Sequence, residues 1–172
     1  MAKITLICLY DNWALGLRTL SNALISNGHE VSIVNFKLYS SKQIKDFLRY
    51  PLHYENVHSN NSFSEMILNG YGVDVNMWTH NEVELLVDLL KDINPDIIGF
   101  STRSIYESSS SINSLMEKVK NVSSAITIAG GFGSTFNPAK YANIFDYACV
   151  GEGEDALIKV AECVNRNRKE DI

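Results

Sequence analysis

Cysteine is scarce in this sequence, and its three cysteines form no metal-binding or redox motif. Cys8 lies far from Cys149 and Cys163 in the sequence, and no two of the three lie within four residues of one another. This spacing excludes a zinc ribbon, a CxxC redox pair and a CxxxCxxC iron–sulfur loop. Each cysteine lies in an apolar run, which predicts buried, reduced thiols in a cytoplasmic protein.

Basic charge and long hydrophobic segments are scarce as well. The chain has 15 Lys and Arg against 20 Asp and Glu, a formal net charge of −5. This balance argues against a nucleic-acid partner, which requires a basic face. No stretch approaches the ~20 apolar residues of a membrane span, and the run 4–10 is too short for a signal-peptide core. We therefore expect a cytoplasmic protein with no membrane partner.

The common phosphate-binding and nucleophile motifs are also missing. No GxxxxGK[ST] occurs, and the run 130–133 (GGFG) lacks the GxGxxG spacing after a first strand. Ser101 and Ser104 have no histidine whose position beside them can be argued from the sequence. What remains is a chain of 172 residues that is 45% hydrophobic and 20% charged, which is the composition of one ordinary globular domain.

Apolar runs of strand length alternate along the chain with amphipathic segments of helical period. Residues 4–9 and 31–36 predict strands, and Leu17, Leu20 and Leu24 mark the helix between them, up to Gly28. Further strands are expected at 96–100, 125–129 and 147–150, separated by helices. This alternation predicts an α/β fold with a flavodoxin-like (Rossmann-like), doubly wound, five-stranded parallel sheet of order 2-1-3-4-5.

One stretch, residues 37–78, is longer than a connection in a minimal fold of this class. Two capping-box patterns, starting at Ser40 and Ser62, predict two short helices within it. Its aromatic residues fit either a local core or a cover over the site. Its histidines, His53 and His58, fit exposed or structural positions better than a ligand role. No linker divides the chain, so we predict a single domain, residues 1–172, with 37–78 as an insertion in it.

Polar and glycine-containing loops follow four of the five predicted strands. In an open parallel sheet, ligands bind at the carboxyl ends of the strands, and glycines allow a close backbone approach. Turns before helices also use Gly, Ser and Asp for structural reasons alone. No catalytic residue and no metal ligand is predicted. The candidate cofactor-binding residues are Asp11, Asn12, Trp13 and Gly16; Ser101, Thr102 and Arg103; Gly130, Gly131 and Phe132; and Gly151, Glu152, Gly153 and Glu154.

The order and spacing of these loops resemble the cobalamin-binding domain family, especially the N-terminal domain of cobalamin-dependent radical SAM proteins. That family has DxHxxG after the first strand, SxL after the third, and GG further on. Here residues 11–16 have the spacing DxxxxG, Ser101-Thr102-Arg103 takes the place of SxL, and residues 104–129 separate it from Gly130-Gly131. The segments 95–101 and 150–154 are also similar to the radical SAM branch.

The resemblance implies that this chain holds cobalamin, and hence cobalt, at the carboxyl edge of its sheet. It implies a methyltransferase in which S-adenosylmethionine and a [4Fe-4S] cluster belong to a radical SAM partner, either a domain of the same longer chain or a separate protein. Because this chain lacks CxxxCxxC, we expect it to be one part of that enzyme and not catalytic alone.

Two departures from the family pattern bear on the cofactor. Trp13 occupies the place of the histidine that would be the lower axial ligand, and an indole has no lone pair suited to a metal. We therefore expect no histidine ligand from this loop, and an apolar face there would favour low coordination of a strongly reducing cobalt. Arg103 replaces the family's leucine, and it either reaches a phosphate or amide of the cofactor tail or points to solvent.

The remaining loop residues have a functional and a structural interpretation. Ser101 resembles the serine that hydrogen-bonds the base of the cofactor tail, and it could equally cap a helix. Gly130 and Gly131 would leave room for that tail. Glu152 and Glu154 suit a helix N-terminus, where the macrodipole favours carboxylates, or a contact with corrin amides or a neighbouring domain.

Two other functions stay open at this stage. The same fold could serve without cobalamin as a docking or substrate-gating domain, because the axial histidine and the leucine of SxL are both replaced. A flavodoxin-type flavin binder is the third possibility, weakened by the lack of a Ser/Thr-rich phosphate loop directly after the first strand.

Overall fold

The computed structural model describes residues 1–9, 14–36, 80–102 and 109–166, with only the backbone described at 109–111. Strands and helices alternate through these ranges. The strands are β1 (Lys3–Cys8), β2 (Glu30–Asn35), β3 (Ile97–Ser101), β4 (Ile126–Gly130) and β5 (Tyr147–Ala148). The helices are α1 (Leu15–Ser26), α2 (His80–Ile93), α3 (Ser109–Val122), α4 (Phe132–Phe136), α5 (Pro138–Ala142) and α6 (Glu154–Asn165).

Local sequence explains where several helices begin and end. Helix α1 ends in a Schellman motif: Gly28 has φ +81°, its N–H donates to the Ile25 carbonyl at 2.9 Å, and the His29 N–H donates to the Leu24 carbonyl at 3.2 Å. Helix α5 starts at Pro138, directly after Asn137, whose side chain accepts the Lys140 N–H at 3.3 Å. Asparagine before the helix and proline at its first position are both favoured at a helix start.

The five strands form one sheet in which all pairings are parallel, in the order β2-β1-β3-β4-β5. This confirms the predicted flavodoxin-like sheet. In the register, Leu6 of β1 lies opposite Gly99 of β3, and Gly99 lies opposite Ile128 of β4. The two helices predicted within the insertion 37–78 fall outside the described residues.

The sheet is covered on both faces, as its two-sided apolar strands require. On one face, which we call the α2/α3 face, Ile7, Ile98 and Phe100 pack into a cluster with the buried residues of α2 and α3. On the other, the α1/α6 face, Leu6 and Ile128 pack into a second cluster with the buried residues of α1 and α6. The alternation of side chains along each strand assigns neighbours to opposite faces.

Two elements differ from the expectation. The fifth strand, predicted at 147–150, covers only Tyr147–Ala148, although the Cys149 N–H still donates to the Ala129 carbonyl at 2.7 Å. The short helix α4 was not predicted, because its sequence FGSTF has weak intrinsic helix propensity. No helix in the described part of the chain is long and apolar enough to span a membrane.

Candidate functional site

The carboxyl ends of the strands bring together residues from all four predicted loops. Ser101 and Gly130 end β3 and β4 and are partners in the sheet register. Together with Gly16, Gly131 and the segment 151–154, they line one cavity of about 480 Å³. Asp11, Asn12, Trp13 and Arg103 lie outside the described residues, and Thr102 and Phe132 are described but do not line the cavity.

The cavity lies on the α1/α6 face of the sheet, between the strands and the two helices. The inner walls are aliphatic: Leu17 and Leu20 come from α1, and Leu157 and Val160 come from α6. The segment 147–154 closes one end. A volume of this size is within the ~300–1,000 Å³ typical of small-molecule sites.

Gly99, which the sequence analysis did not select, lies on the floor of this cavity. Leu6, Gly99 and Ile128 are side by side in the register and all line the cavity. A Cβ added to Gly99 would lie 2.9 Å from Leu6 Cδ2. The one available signal was a glycine inside an otherwise bulky strand, which often marks a close approach of another group.

The Gly130-Gly131 turn fixes the loop after β4 against the loop after β3. Gly131 has φ +90°, and a Cβ there would meet the Thr102 carbonyl oxygen at 3.3 Å. Thr102 is fully buried; its N–H donates to the Gly130 carbonyl at 2.8 Å, and its carbonyl accepts the Gly133 N–H at 2.9 Å. Its hydroxyl donates to the Gly130 carbonyl at 3.0 Å and accepts the Ser134 N–H at 3.1 Å. Thr102 therefore holds the two loops together from inside the protein.

Helix α4 supplies two further residues that the sequence analysis missed. The buried Ser134 hydroxyl donates to the Cys149 carbonyl, which fixes the end of β5. The Thr135 hydroxyl donates to the Gly131 carbonyl at 2.9 Å and accepts the Gly151 N–H at 3.1 Å. These two side chains join the loop after β4 to the loop after β5.

Comparison with known proteins identifies the family of this site. A family model described as "B12 binding domain" matches residues 64–161, which is more than half of the chain. The chain belongs to the B12-binding domain family. The matched range contains β3, β4 and β5 with their three loops, and the resemblance inferred from the loop spacing is thereby confirmed.

A solved structure with the same fold is the radical S-adenosylmethionine methyltransferase TsrM from Kitasatospora setae, with cobalamin and a [4Fe-4S] cluster bound. The TM-score is 0.60 at 15% sequence identity, and the alignment covers 98% of this chain and 25% of that chain. At this identity the likeness shows the fold alone. No curated protein matches the sequence.

The cavity of this B12-binding domain carries no positive charge among its described lining residues. Its polar side chains are Ser101, Tyr147, Cys149, Glu152 and Glu154. The Ser101 hydroxyl makes no hydrogen bond to any described residue, and it lies 3.5 Å from where a Cβ of Gly131 would be. The described residues include no cluster of three or more His, Cys, Asp or Glu able to hold a metal ion.

The burial of Cys149 and the Glu154 carboxylate both affect the Cys149 thiol at the end of the cavity. Glu154 lies in the first turn of α6, where the helix macrodipole stabilises its negative charge. Burial, and then the Glu154 carboxylate, raises the pKa of the Cys149 thiol. The thiol is therefore protonated at neutral pH and is a poor metal ligand or nucleophile.

Two exposed phenyl rings lie beside the site. Phe132 and Phe136 are 58% and 68% exposed, and their ring centroids are 4.2 Å apart on α4. Phe132 follows Gly131 directly, so this apolar pair borders the loop after β4. Exposed aromatic pairs of this kind are typical of surfaces that another group covers.

Proposed function

We propose that this domain binds cobalamin at the carboxyl edge of its sheet, and holds it for a radical SAM methyltransferase partner. The observation that carries the proposal is the cavity of about 480 Å³, built by glycine loops at the place where this fold binds ligands. The family match supports the cofactor, since its description is a B12-binding domain.

The described residues fit the tail of this cofactor. Gly131 leaves no room for a Cβ beside Thr102, so the loop backbone itself forms the wall there. The aliphatic walls suit a flat aromatic base, which gains free energy on leaving water. Ser101 offers a hydroxyl at the end of β3 that has no partner among the described residues, and it would donate to the buried base or its sugar.

The other loop residues have proposed roles in contact with the cofactor. Gly16, Gly130, Gly151 and Gly153 let the backbone approach the cofactor closely, and the carboxylates of Glu152 and Glu154 accept hydrogen bonds from corrin amides. Phe132 adds an apolar contact at the edge. Asp11, Asn12, Trp13 and Arg103 are proposed from the sequence pattern alone.

Cobalamin, when bound, supplies a cobalt centre that carries a methyl group for transfer. The chain's own contribution is to bind the tail, exclude water from it and present the macrocycle, with Trp13 where the family has its histidine ligand. The three cysteines are free thiols, which supports a cytoplasmic location. We propose one domain over residues 1–172, with 37–78 as an insertion and a radical SAM domain as partner.

TsrM supports the partnership, because its chain combines radical SAM chemistry with bound cobalamin and this chain aligns with 25% of it. S-adenosylmethionine and the [4Fe-4S] cluster would then belong to that partner, and this domain would take no catalytic part alone.

The test is a titration of the purified chain with hydroxocobalamin and methylcobalamin, followed by the visible spectrum and by retention through desalting. Gly131→Ala and Gly28→Ala form a matched pair, since both glycines have positive φ but only Gly131 lines the cavity. Gly28→Ala should lose about 1–2 kcal/mol of unfolding free energy. Gly131→Ala should lose more, because a Cβ there also meets the Thr102 carbonyl oxygen at 3.3 Å. Only Gly131→Ala should lose cobalamin affinity, by about tenfold.

A second candidate function is docking of another protein domain without cobalamin. The specific observation that favours it is the exposed Phe132–Phe136 pair at the edge of the site. If a chain folded by circular dichroism retains no corrin, docking becomes the better proposal. Retention of flavin in place of corrin would favour a flavodoxin-type carrier.

A further inference from the structure

One buried histidine, His29, lies at the amino edge of the sheet, at the opposite end of the strands from the cavity. It follows Gly28 at the end of α1 and directly precedes β2, and it is only 7% exposed. Its Nδ1 atom accepts the Ala2 N–H at 3.3 Å, and its backbone N–H donates to the Leu24 carbonyl at 3.2 Å. The His29 side chain therefore connects the start of β1 with the turn between α1 and β2.

The hydrogen bond from Ala2 determines which nitrogen of the His29 ring carries the proton. A ring nitrogen that accepts a hydrogen bond has no proton of its own, so the neutral ring carries its proton on Nε2. Nε2 is buried and has no hydrogen-bond partner among the described residues. A second proton would have to enter at Nδ1, where the Ala2 N–H already points. Protonation of the ring therefore requires that the bond to Ala2 break.

The surroundings of His29 also disfavour a positive charge on its ring. Burial of the ring lowers the pKa of His29 most, the Met1 ammonium lowers it further, and the Glu162 carboxylate of α6 opposes both. The last turn of α1 carries no charged residue. The other charged groups at this edge are held in exposed ion pairs, Glu162 with Arg166 at 3.7 Å and Glu30 with Lys3 at 3.9 Å.

We propose that His29 makes the amino edge of this domain sensitive to acid: the neutral ring ties the start of β1 to the α1–β2 turn, and protonation releases this connection. Ala2 is only 1% exposed, and its carbonyl also accepts the Glu30 N–H at 3.0 Å. Its N–H is thus exposed to water only when this corner opens. None of these residues lines the cavity, so the connection is independent of the proposed function.

The direction of the effect follows from the lowered pKa in the folded state. An unfolded histidine takes up its proton near pH 6.5, whereas folded His29 does so at a lower pH. The stability that neutral His29 contributes is therefore fully present above about pH 6.5. It is lost as the pH falls through the lowered pKa of the folded state.

An NMR titration of the purified chain tests the state of the ring directly. We expect the assigned ring signals of His29 to titrate below the ordinary histidine value of about 6.5. The nitrogen shifts of the neutral ring should place the proton on Nε2, and hydrogen exchange of the Ala2 amide should accelerate as the ring titrates. Titration of His29 at or above the ordinary value, or a neutral ring protonated on Nδ1, would overturn the proposal.

Urea unfolding at pH 7.5 and pH 5.5 tests the contribution to stability. In His29→Asn the amide oxygen replaces Nδ1 as the acceptor for Ala2 and takes up no proton in this range. The folding equilibrium constant of the wild type should fall about threefold more on acidification than that of His29→Asn. His80→Asn is the matched control, because the side chain of His80 is 74% exposed on α2, and it should retain the wild-type pH dependence. Equal pH dependence in the wild type and His29→Asn would contradict the proposal.

A second pair of variants keeps the test informative if His29→Asn folds poorly. Glu162→Gln removes the half-exposed carboxylate that favours a protonated ring, so His29 should titrate at a lower pH than in the wild type. Glu117→Gln makes the same change at an exposed position of α3, on the other face of the sheet, and should leave the His29 titration unchanged. If the titration moves equally in both variants, or in neither, the proposal is wrong.

Discussion

The two faces of the sheet differ most clearly along β3, which contributes residues to both of them. Ile98 and Phe100 point to the α2/α3 face and are buried to 0% and 1% exposure. Gly99 and Ser101 point to the α1/α6 face and border a cavity of about 480 Å³. Side chains alternate between the two faces along a strand. Alternate residues of this five-residue strand therefore either pack in the core, where they stabilise the fold, or border the cavity.

The comparison indicates which substitutions should affect folding and which should affect binding. The α2/α3 face has large side chains in van der Waals contact, where a missing group leaves a cavity in the core. The α1/α6 face already contains space, so its small residues contribute little packing near the carboxyl edge. Changes on the first face should therefore alter the unfolding free energy, and changes on the second should alter ligand affinity.

The largest effect is expected for Phe100→Ala. Phe100 is buried on the α2/α3 face, and its ring centroid lies 5.3 Å from that of Phe145. Its removal should lower the unfolding free energy by about 3–5 kcal/mol, measured by urea denaturation. Ser101→Ala is the neighbouring control and should change stability by less than about 0.5 kcal/mol. Comparable losses of unfolding free energy from both variants would mean that the two faces do not differ in their contribution to stability.

A smaller, pH-dependent effect is expected at the amino edge of the α2/α3 face. Asp146 Oδ2 accepts the Thr127 N–H and hydroxyl, both at 2.8 Å, and Oδ1 accepts from Lys120 Nζ at 3.0 Å. Burial opposes ionisation, but these hydrogen bonds and the lysine charge outweigh it and hold the pKa of Asp146 below its usual value.

Because the pKa of Asp146 is lowered in the folded state, its carboxylate stabilises the fold at neutral pH, and this stabilisation is lost on acidification. The ionised carboxylate stabilises the fold above the ordinary Asp pKa, and protonation removes that stabilisation as pH falls through the lowered value. Because the side chain is partly exposed, at most about 1 kcal/mol is involved. Urea unfolding at pH 7 and pH 3 should show a smaller pH dependence for Asp146→Asn than for the wild type. An identical pH dependence would contradict this account.

The sheet was predictable because its strands and helices depend on local patterns. Strands β1 and β3 are short apolar runs, and the helices between strands have apolar residues at helical spacing. Gly130 and Gly131 were selected from the same kind of local pattern, a glycine pair directly after a parallel strand, and both line the cavity. Local sequence was sufficient to predict a strand or helix wherever its pattern of residue types fits one kind of element.

The cavity and α4 were not predictable because they depend on contacts distant in sequence. Whether Gly99 leaves a gap or is filled by a neighbour is decided by Leu6, Ile128 and the positions of α1 and α6. Helix α4 has a poor local propensity and is held by the Ser134 and Thr135 hydroxyls, which bond to residues of two other loops. Tertiary hydrogen bonds here override the local preference.

The smallest expected effect concerns Thr135, which joins two loops on the α1/α6 side. Its hydroxyl donates to the Gly131 carbonyl four residues back and accepts the Gly151 N–H. Thr19 is a matched control, because its hydroxyl donates to the Leu15 carbonyl, also four residues back, and has no loop to hold. Thr135→Ala should cost about 0.5–1 kcal/mol of unfolding free energy, somewhat more than Thr19→Ala. Thr135→Ala alone should weaken cobalamin binding several-fold in the spectral titration, since the loop 151–154 is no longer tied to the glycine turn. Equal cobalamin affinity in the two variants would contradict this prediction. It would show that the Thr135 hydrogen bonds between the glycine turn and the loop 151–154 have no effect on the cavity that both segments line.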